Sequence, residues 1–235
     1  MLSKIVHDRS SSKLFQPLLI ANGRIELKHR VVYAPMTRLR GVPIGSPMND
    51  REPTKAWYPE GLAAEYYGQR ATEGGLLISE ATPVTVQVSI MLTLNPFVAI
   101  LSKVLQGTGL PGAPGIFHEK QLEGWKRVTQ AVHEKGGYIY AQLWHGGRAT
   151  LPHFTGHPTI SSSAEPWGSD DCYPFPLPGT QSTFGRFKDF PPQKLEEDGI
   201  RRVIEEHTSA AQEAMRVGFD GVEIHGANGY CEFSP

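Results

Sequence analysis

The stretch GFDGVEIHGANGY, residues 218–230, decides the fold. Gly218 terminates a helix-patterned run, since glycine takes the left-handed backbone that closes a helix without steric cost. Residues 221–226, GVEIHG, then read as a short buried strand. That strand runs out into His225, Asn228 and Tyr230, which no apolar core would select. The same unit recurs upstream. VVYAPM (31–36) runs into Thr37 and Arg38, LLISEA (76–81) carries Glu80, and YIYAQLW (138–144) carries Gln142 and meets His145. Helix-patterned runs separate these strands, at 61–73, 118–135 and 193–217. In the second, Leu122, Trp125, Val128 and Val132 recur at spacings of three and four, which makes one apolar face. In the third, Ile200, Val203, Ile204, Ala210, Ala211 and Ala214 are expected to form the buried side.

Strands joined by crossover helices make a parallel sheet. Four strand ends that carry polar groups favour a barrel, whose active sites lie at the C-terminal strand ends. A doubly wound sheet is disfavoured, because no glycine-rich dinucleotide fingerprint follows the first strand. The expected fold class is therefore α/β: a TIM (β/α)8 barrel of which about the first four strands are present. An N-terminal β-hairpin over about 14–30 precedes it, turned at Asn22–Gly23. A whole barrel takes about 250 residues, so four strands in 235 residues imply a half barrel with insertions or a shortened form.

Composition narrows the function classes. With 39% hydrophobic and 20% charged residues and a net charge of −1, the chain is globular and offers nucleic acid no basic surface. Cys172 and Cys231 stand in no CxxC or zinc spacing, so neither a disulfide framework nor a metal site is expected, and the expected location is cytoplasmic. The first twenty residues lack the pattern of a signal peptide. Residues 82–102 are uncharged and long enough to span a membrane. Thr, Gln, Ser, Asn and Pro interrupt them and no basic flank precedes them, so no span is expected. Part of that stretch has a foreign look, and 231–235 has the same character. Eight prolines between Pro152 and Pro192 mark 149–192 as a long loop without helix or regular sheet.

Five blocks carry a resemblance: RVVYAPMTRLR (30–40), AAEYYGQRATEGGLLISEAT (63–82), PGIFHEKQLEGWKRVTQAVHEKGGYIYAQLWHGGR (114–148), SSSA (161–164) and AAQEAMRVGFDGVEIHGANGY (210–230). Together, and in this order, they resemble the N-terminal half of the Old Yellow Enzyme family, the FMN-dependent ene-reductases among the NADH:flavin oxidoreductases. The resemblance implies that residues 1–235 are a partial FMN-binding domain, with NADPH or NADH as hydride donor and an enone or enal as substrate. It implies that His225 and Asn228 bind the substrate carbonyl oxygen, where preorganised donors stabilise developing negative charge. It makes Tyr230 the acid that protonates the α-carbon, a role suited to a phenol that rests neutral at pH 7. On the cofactor side it implies Thr37 at the flavin O4, Pro35 and Met36 against the ring, and Ala81 beside it. Gln142, with donor and acceptor on one planar amide, matches the pyrimidine edge. Trp144 either lines the mouth or touches substrate. His145 and Arg148 are expected to be structural.

Other readings stand beside this one. The chain could be a catalytically inactive truncated fragment, or a faulty gene model in which 86–106 and 231–235 are not genuine protein sequence. A non-redox barrel lyase or isomerase could pair Glu80 with His225. A membrane-associated structural protein would be built on 82–102. Oligomeric state and physiological substrate stay open.

Overall fold

A computed structural model describes residues 12–45, 56–85 and 109–230. The foreign-looking insertion and 231–235 lie outside the described residues, as does most of 82–102.

The chain begins with the antiparallel hairpin of β1 (Leu18–Ile20) and β2 (Ile25–Leu27), turned through left-handed Ala21, Asn22 and Gly23. β3 (Val32–Tyr33) follows, and then the short antiparallel pair of β4 (Val42–Pro43) and β5 (Trp57–Tyr58). Helix α1 (Gly61–Gly68) leads to β6 (Leu76–Ile78) and β7 (Thr82–Pro83). Helix α2 (Glu119–His133) precedes β8 (Tyr138–Trp144). The next segment holds α3 (Pro152–Thr155), β9 (Ile160–Ser161), β10 (Cys172–Pro176), β11 (Phe184–Arg186) and β12 (Gln193–Lys194). Helix α4 (Glu197–Arg216) and β13 (Gly221–Ile224) complete the described chain.

β3, β6, β8 and β13 lie side by side in that order, all parallel, with β7 continuing beside β8. This is the expected set of four barrel strands. Their alternation separates two faces. Leu77, Ile139, Ala141 and Leu143 face outward and pack with Trp125, Val128, Val132, Ala210, Ala214 and Phe219. Leu76, Tyr138 and Tyr140 face inward and pack on Ile25 and Leu27 of the hairpin, which closes the N-terminal end. Continuing two residues at a time, Gln142 and Trp144 belong to the inner face at the C-terminal end.

The four apolar residues expected on the second helix are all buried. Helix α2 starts at a capping box: His118 accepts from the Lys120 N–H at 3.2 Å, and the Gln121 side chain accepts from the His118 N–H at 3.0 Å.

Three expectations need correction. Helix α1 stops at Gly68 rather than 73, and α4 begins at Glu197 because Gln193–Lys194 pair with β9. Ile200 and Ile204 are 45% and 60% exposed, on the rim of an open groove, so only part of the expected apolar face of α4 is covered. The segment 149–192 is not structureless. β10 and β11 form an antiparallel pair with an irregular register over Cys172–Pro176, and β9 pairs with β12. Pro174 and Pro176 have no N–H to donate, which confines such a strand to a two-stranded edge. Leu151, Phe154 and Tyr173 form a separate small core beneath it.

Candidate active site at the C-terminal mouth

The inner face of β8 and β13 builds the site. Glu223 lies opposite Gln142 in the parallel register, and the Gln142 Nε2 donates to its carboxylate at 2.6 Å. Their contact puts both side chains on one face, and His225, two residues further, falls on the same face. The His225 N–H extends the pairing to the Leu143 carbonyl at 2.9 Å. Beyond it a turn runs through left-handed Asn228 (φ 61°) and Gly229, closed from the Tyr230 N–H to the Ala227 carbonyl at 3.5 Å. Asparagine tolerates that conformation better than most residues.

Three expected site residues meet there. The Tyr230 ring stands edge-on to Trp144, with centroids 5.2 Å apart, and edge-on to His225, at 5.0 Å. Burial pushes the Tyr230 phenol up, so it keeps its proton at neutral pH. The His225 Nδ1 accepts from the Ala227 N–H at 3.4 Å, which leaves the proton of the neutral ring on Nε2 as a donor. Asn228 is exposed in the same turn. No contact joins Asn228 to His225 among those described.

The other expected residues sit at neighbouring strand ends. Pro35 is half-buried, and Met36 and Thr37 are exposed, just past β3. Ala81 is buried in a β-bulge. Three residues lie between Ile78 and Thr82, but only two between their partners Tyr140 and Leu143. The extra residue disrupts the ladder, and side chains repair it. The Ser79 Oγ accepts from the Gln142 N–H at 2.9 Å and donates to the Glu80 carbonyl at 2.9 Å. The Glu80 N–H donates to the Tyr67 Oη at 2.8 Å.

Glu80 itself is 1% exposed and paired with Arg38, whose guanidinium lies 4.0 Å from the Tyr66 ring centroid. Burial pushes the Glu80 carboxyl up, and the Arg38 charge opposes that shift. The carboxylate is thus committed to Arg38, and the imagined Glu80–His225 pair has no support here. His145 is buried and neutral: burial takes its pKa down to about 3, with His207 and Arg202 adding to the shift. Its Nδ1 accepts from the Gly147 N–H at 3.1 Å, a structural role.

Sequence reasoning missed Ser79, Tyr67 and Glu223. For Glu223 a signal existed, a carboxylate in mid-strand two residues before His225. For Ser79 and Tyr67 none did, because only the bulge creates their work.

A half barrel with a polar, aromatic C-terminal mouth defines the class, part of a (β/α) barrel. The chain matches the model of the NADH:flavin oxidoreductase / NADH oxidase family over residues 13–99 and 97–232, and it belongs to that family. It is 42% identical over 217 residues to flavin oxidoreductase hxnT of Emericella nidulans, covering 92% of this chain and 46% of the relative. It is 36% identical over 224 residues to 12-oxophytodienoate reductase 7 of Oryza sativa subsp. japonica, covering 94% and 47%. Among solved structures, the old yellow enzyme homologue from Zymomonas mobilis superimposes with a TM-score of 0.68 at 33% identity, over 94% of this chain and 50% of that one. Morphinone reductase in complex with tetrahydroNAD gives 0.67 at 33%, over 94% and 51%. The chain thus spans about half the length of the relatives it matches. The fold is about the first four strands of their barrel.

The residues fit an FMN ring. Gln142 spends one amide N–H on Glu223, which leaves its carbonyl oxygen and second N–H for the imide edge of a flavin. The buried Trp144 Nε1 has no hydrogen-bond partner among the described residues, so an acceptor from a bound molecule would satisfy it. Among the described residues no group of three or more His, Cys, Asp or Glu could hold a metal, and no helix is long and apolar enough to cross a membrane.

Proposed function

We propose that this chain carries the ring-binding and substrate half-site of an FMN-dependent NAD(P)H oxidoreductase that reduces the alkene of an α,β-unsaturated carbonyl compound. The observation that carries the reading is the meeting of Trp144, His225 and Tyr230 at the inner C-terminal mouth, beside Gln142. Bound there, FMN would supply hydride transfer from NAD(P)H to the substrate β-carbon. Gln142, Ala81 and the 35–37 loop would hold and orient the ring. The His225 Nε2–H and the Asn228 amide would donate to the substrate carbonyl oxygen as charge develops on it. Tyr230, kept neutral by burial, would hold the proton that the α-carbon receives and lose it from its Oη. Two cysteines in no CxxC or zinc spacing suit a reducing compartment, and we place the protein in the cytoplasm.

The test is the visible spectrum of the full 235-residue chain, mixed with FMN and passed through gel filtration. A retained flavin band that NADPH or NADH bleaches and an enone restores supports the reading. A protein that elutes colourless overturns it for this chain and favours the inactive-fragment reading.

A further inference from the structure

Thr37 lies at the head of a turn that the local sequence does not explain. Leu39 sits in the left-handed region, with φ at 56°, which a leucine rarely adopts. Neither glycine nor asparagine eases it. The turn is packed from one side by the segment around Gly112, where a Cβ would come within 2.6 Å of the Leu39 carbonyl oxygen. The Gly41 N–H donates to the Gly112 carbonyl at 2.8 Å.

From the other side comes Glu80. Its carboxylate accepts the Arg38 main-chain N–H at 3.2 Å and also the Arg38 guanidinium. One buried carboxylate therefore holds both the main chain and the side chain of Arg38, the residue before left-handed Leu39. Its own position is fixed by the bulge, through the Tyr67 Oη and the hydroxyls of Ser79 and Thr82. The bulge buries Ala81 and delivers Glu80 to the turn beside Thr37.

We infer that Glu80 is a positioning residue for the flavin: it clamps the Arg38–Leu39 turn and so sets where Pro35, Met36 and Thr37 meet the ring. This rests on the flavin reading above. The clamp touches neither substrate nor cofactor and acts through the backbone it holds.

The test measures amide hydrogen exchange and FMN affinity in the full chain and in Glu80→Gln, which keeps the volume and removes the charge. Exchange at Arg38 should rise about tenfold or more, with protection of 138–144 unchanged, since charged hydrogen bonds are lost only at the turn. The FMN Kd should rise about tenfold, with a shifted visible band for what remains bound. Unchanged exchange at Arg38 overturns the clamp. A loosened turn with an unchanged FMN Kd and spectrum overturns its service to the flavin. Should Glu80→Gln fail to fold, Arg38→Lys decides, because it retains the main-chain donor and a cation. It should keep wild-type protection at the Arg38 amide, and loss there would show that the guanidinium, not the carboxylate, holds the turn. A wild-type chain that binds no FMN overturns the flavin reading and the positioning role together, while the exchange result still tells whether Glu80 holds the turn.

Discussion

Tyr230 is held by two aromatic edges, Trp144 and His225, and by a turn of its own backbone. In the proposed reaction its phenol gives the α-carbon its proton, so Tyr230→Phe should separate the two half-reactions. Reduction of the bound flavin by NADPH should proceed unchanged, while enone reduction slows by about 10²–10⁴-fold. Stopped-flow absorbance resolves the two, and equal slowing of both would show that the ring serves packing instead. His145 gives a second test at this scale. Its folded pKa of about 3 lies far below the ordinary 6.5. Between those values the unfolded chain binds the extra proton, so stability is full above about pH 6.5 and declines as pH falls toward 3. The slope from this one group reaches about 1.4 kcal/mol per pH unit. His145→Asn keeps an acceptor near the Gly147 N–H and removes the titration. Urea unfolding at pH 7.5 and pH 5 should show a smaller difference for that variant than for the parent, and an equal difference would assign the acid sensitivity to other groups.

At the scale of elements, the bulge between β6 and β7 is the feature on which the site depends. Ser79→Ala removes the acceptor of the buried Gln142 N–H. Leaving that group unsatisfied should cost about 1–3 kcal/mol, read as a lower urea midpoint with an unchanged slope. An unchanged midpoint would mean the β8 ladder closes without the hydroxyl. This element also marks the limit of what the sequence discloses. Helix α2 was legible because Leu122, Trp125, Val128 and Val132 follow a period that only one structure satisfies. Gln142 and His225 were legible because polar residues ended apolar strands. Glu80 was visible as an oddity, yet its partner lies 42 residues away in sequence, and only a register shift between two strands joins them. The segment 149–192 hid its strands for a related reason. Its prolines argue against regular sheet, while Leu151, Phe154 and Tyr173 find their core only once the chain is folded.

At the scale of the molecule, a four-stranded section of barrel has two lateral faces. Among the described residues β3 pairs only with β6, and β13 only with β8. Ile224 on β13 is 57% exposed, and together with Ile200, Ile204 and Val222 it lines a groove of about 510 Å³. The periodicity of α4 prepared these isoleucines for burial, but a period reports only that a face suits burial, not that a neighbour covers it. In a closed barrel the next strand and helix would lie there. An apolar groove beside an edge strand favours self-association. Light scattering across a concentration series of the full chain should therefore show mass rising with concentration. Ile204→Lys places a charge on the rim, where burial is slight, so it should reduce association while shifting unfolding free energy by no more than about 0.5 kcal/mol. Association that survives the lysine would move the contact to the β3 side, where Val31 and Val32 are the exposed apolar residues. A chain that stays monomeric throughout would mean that this groove is too weakly apolar to drive assembly.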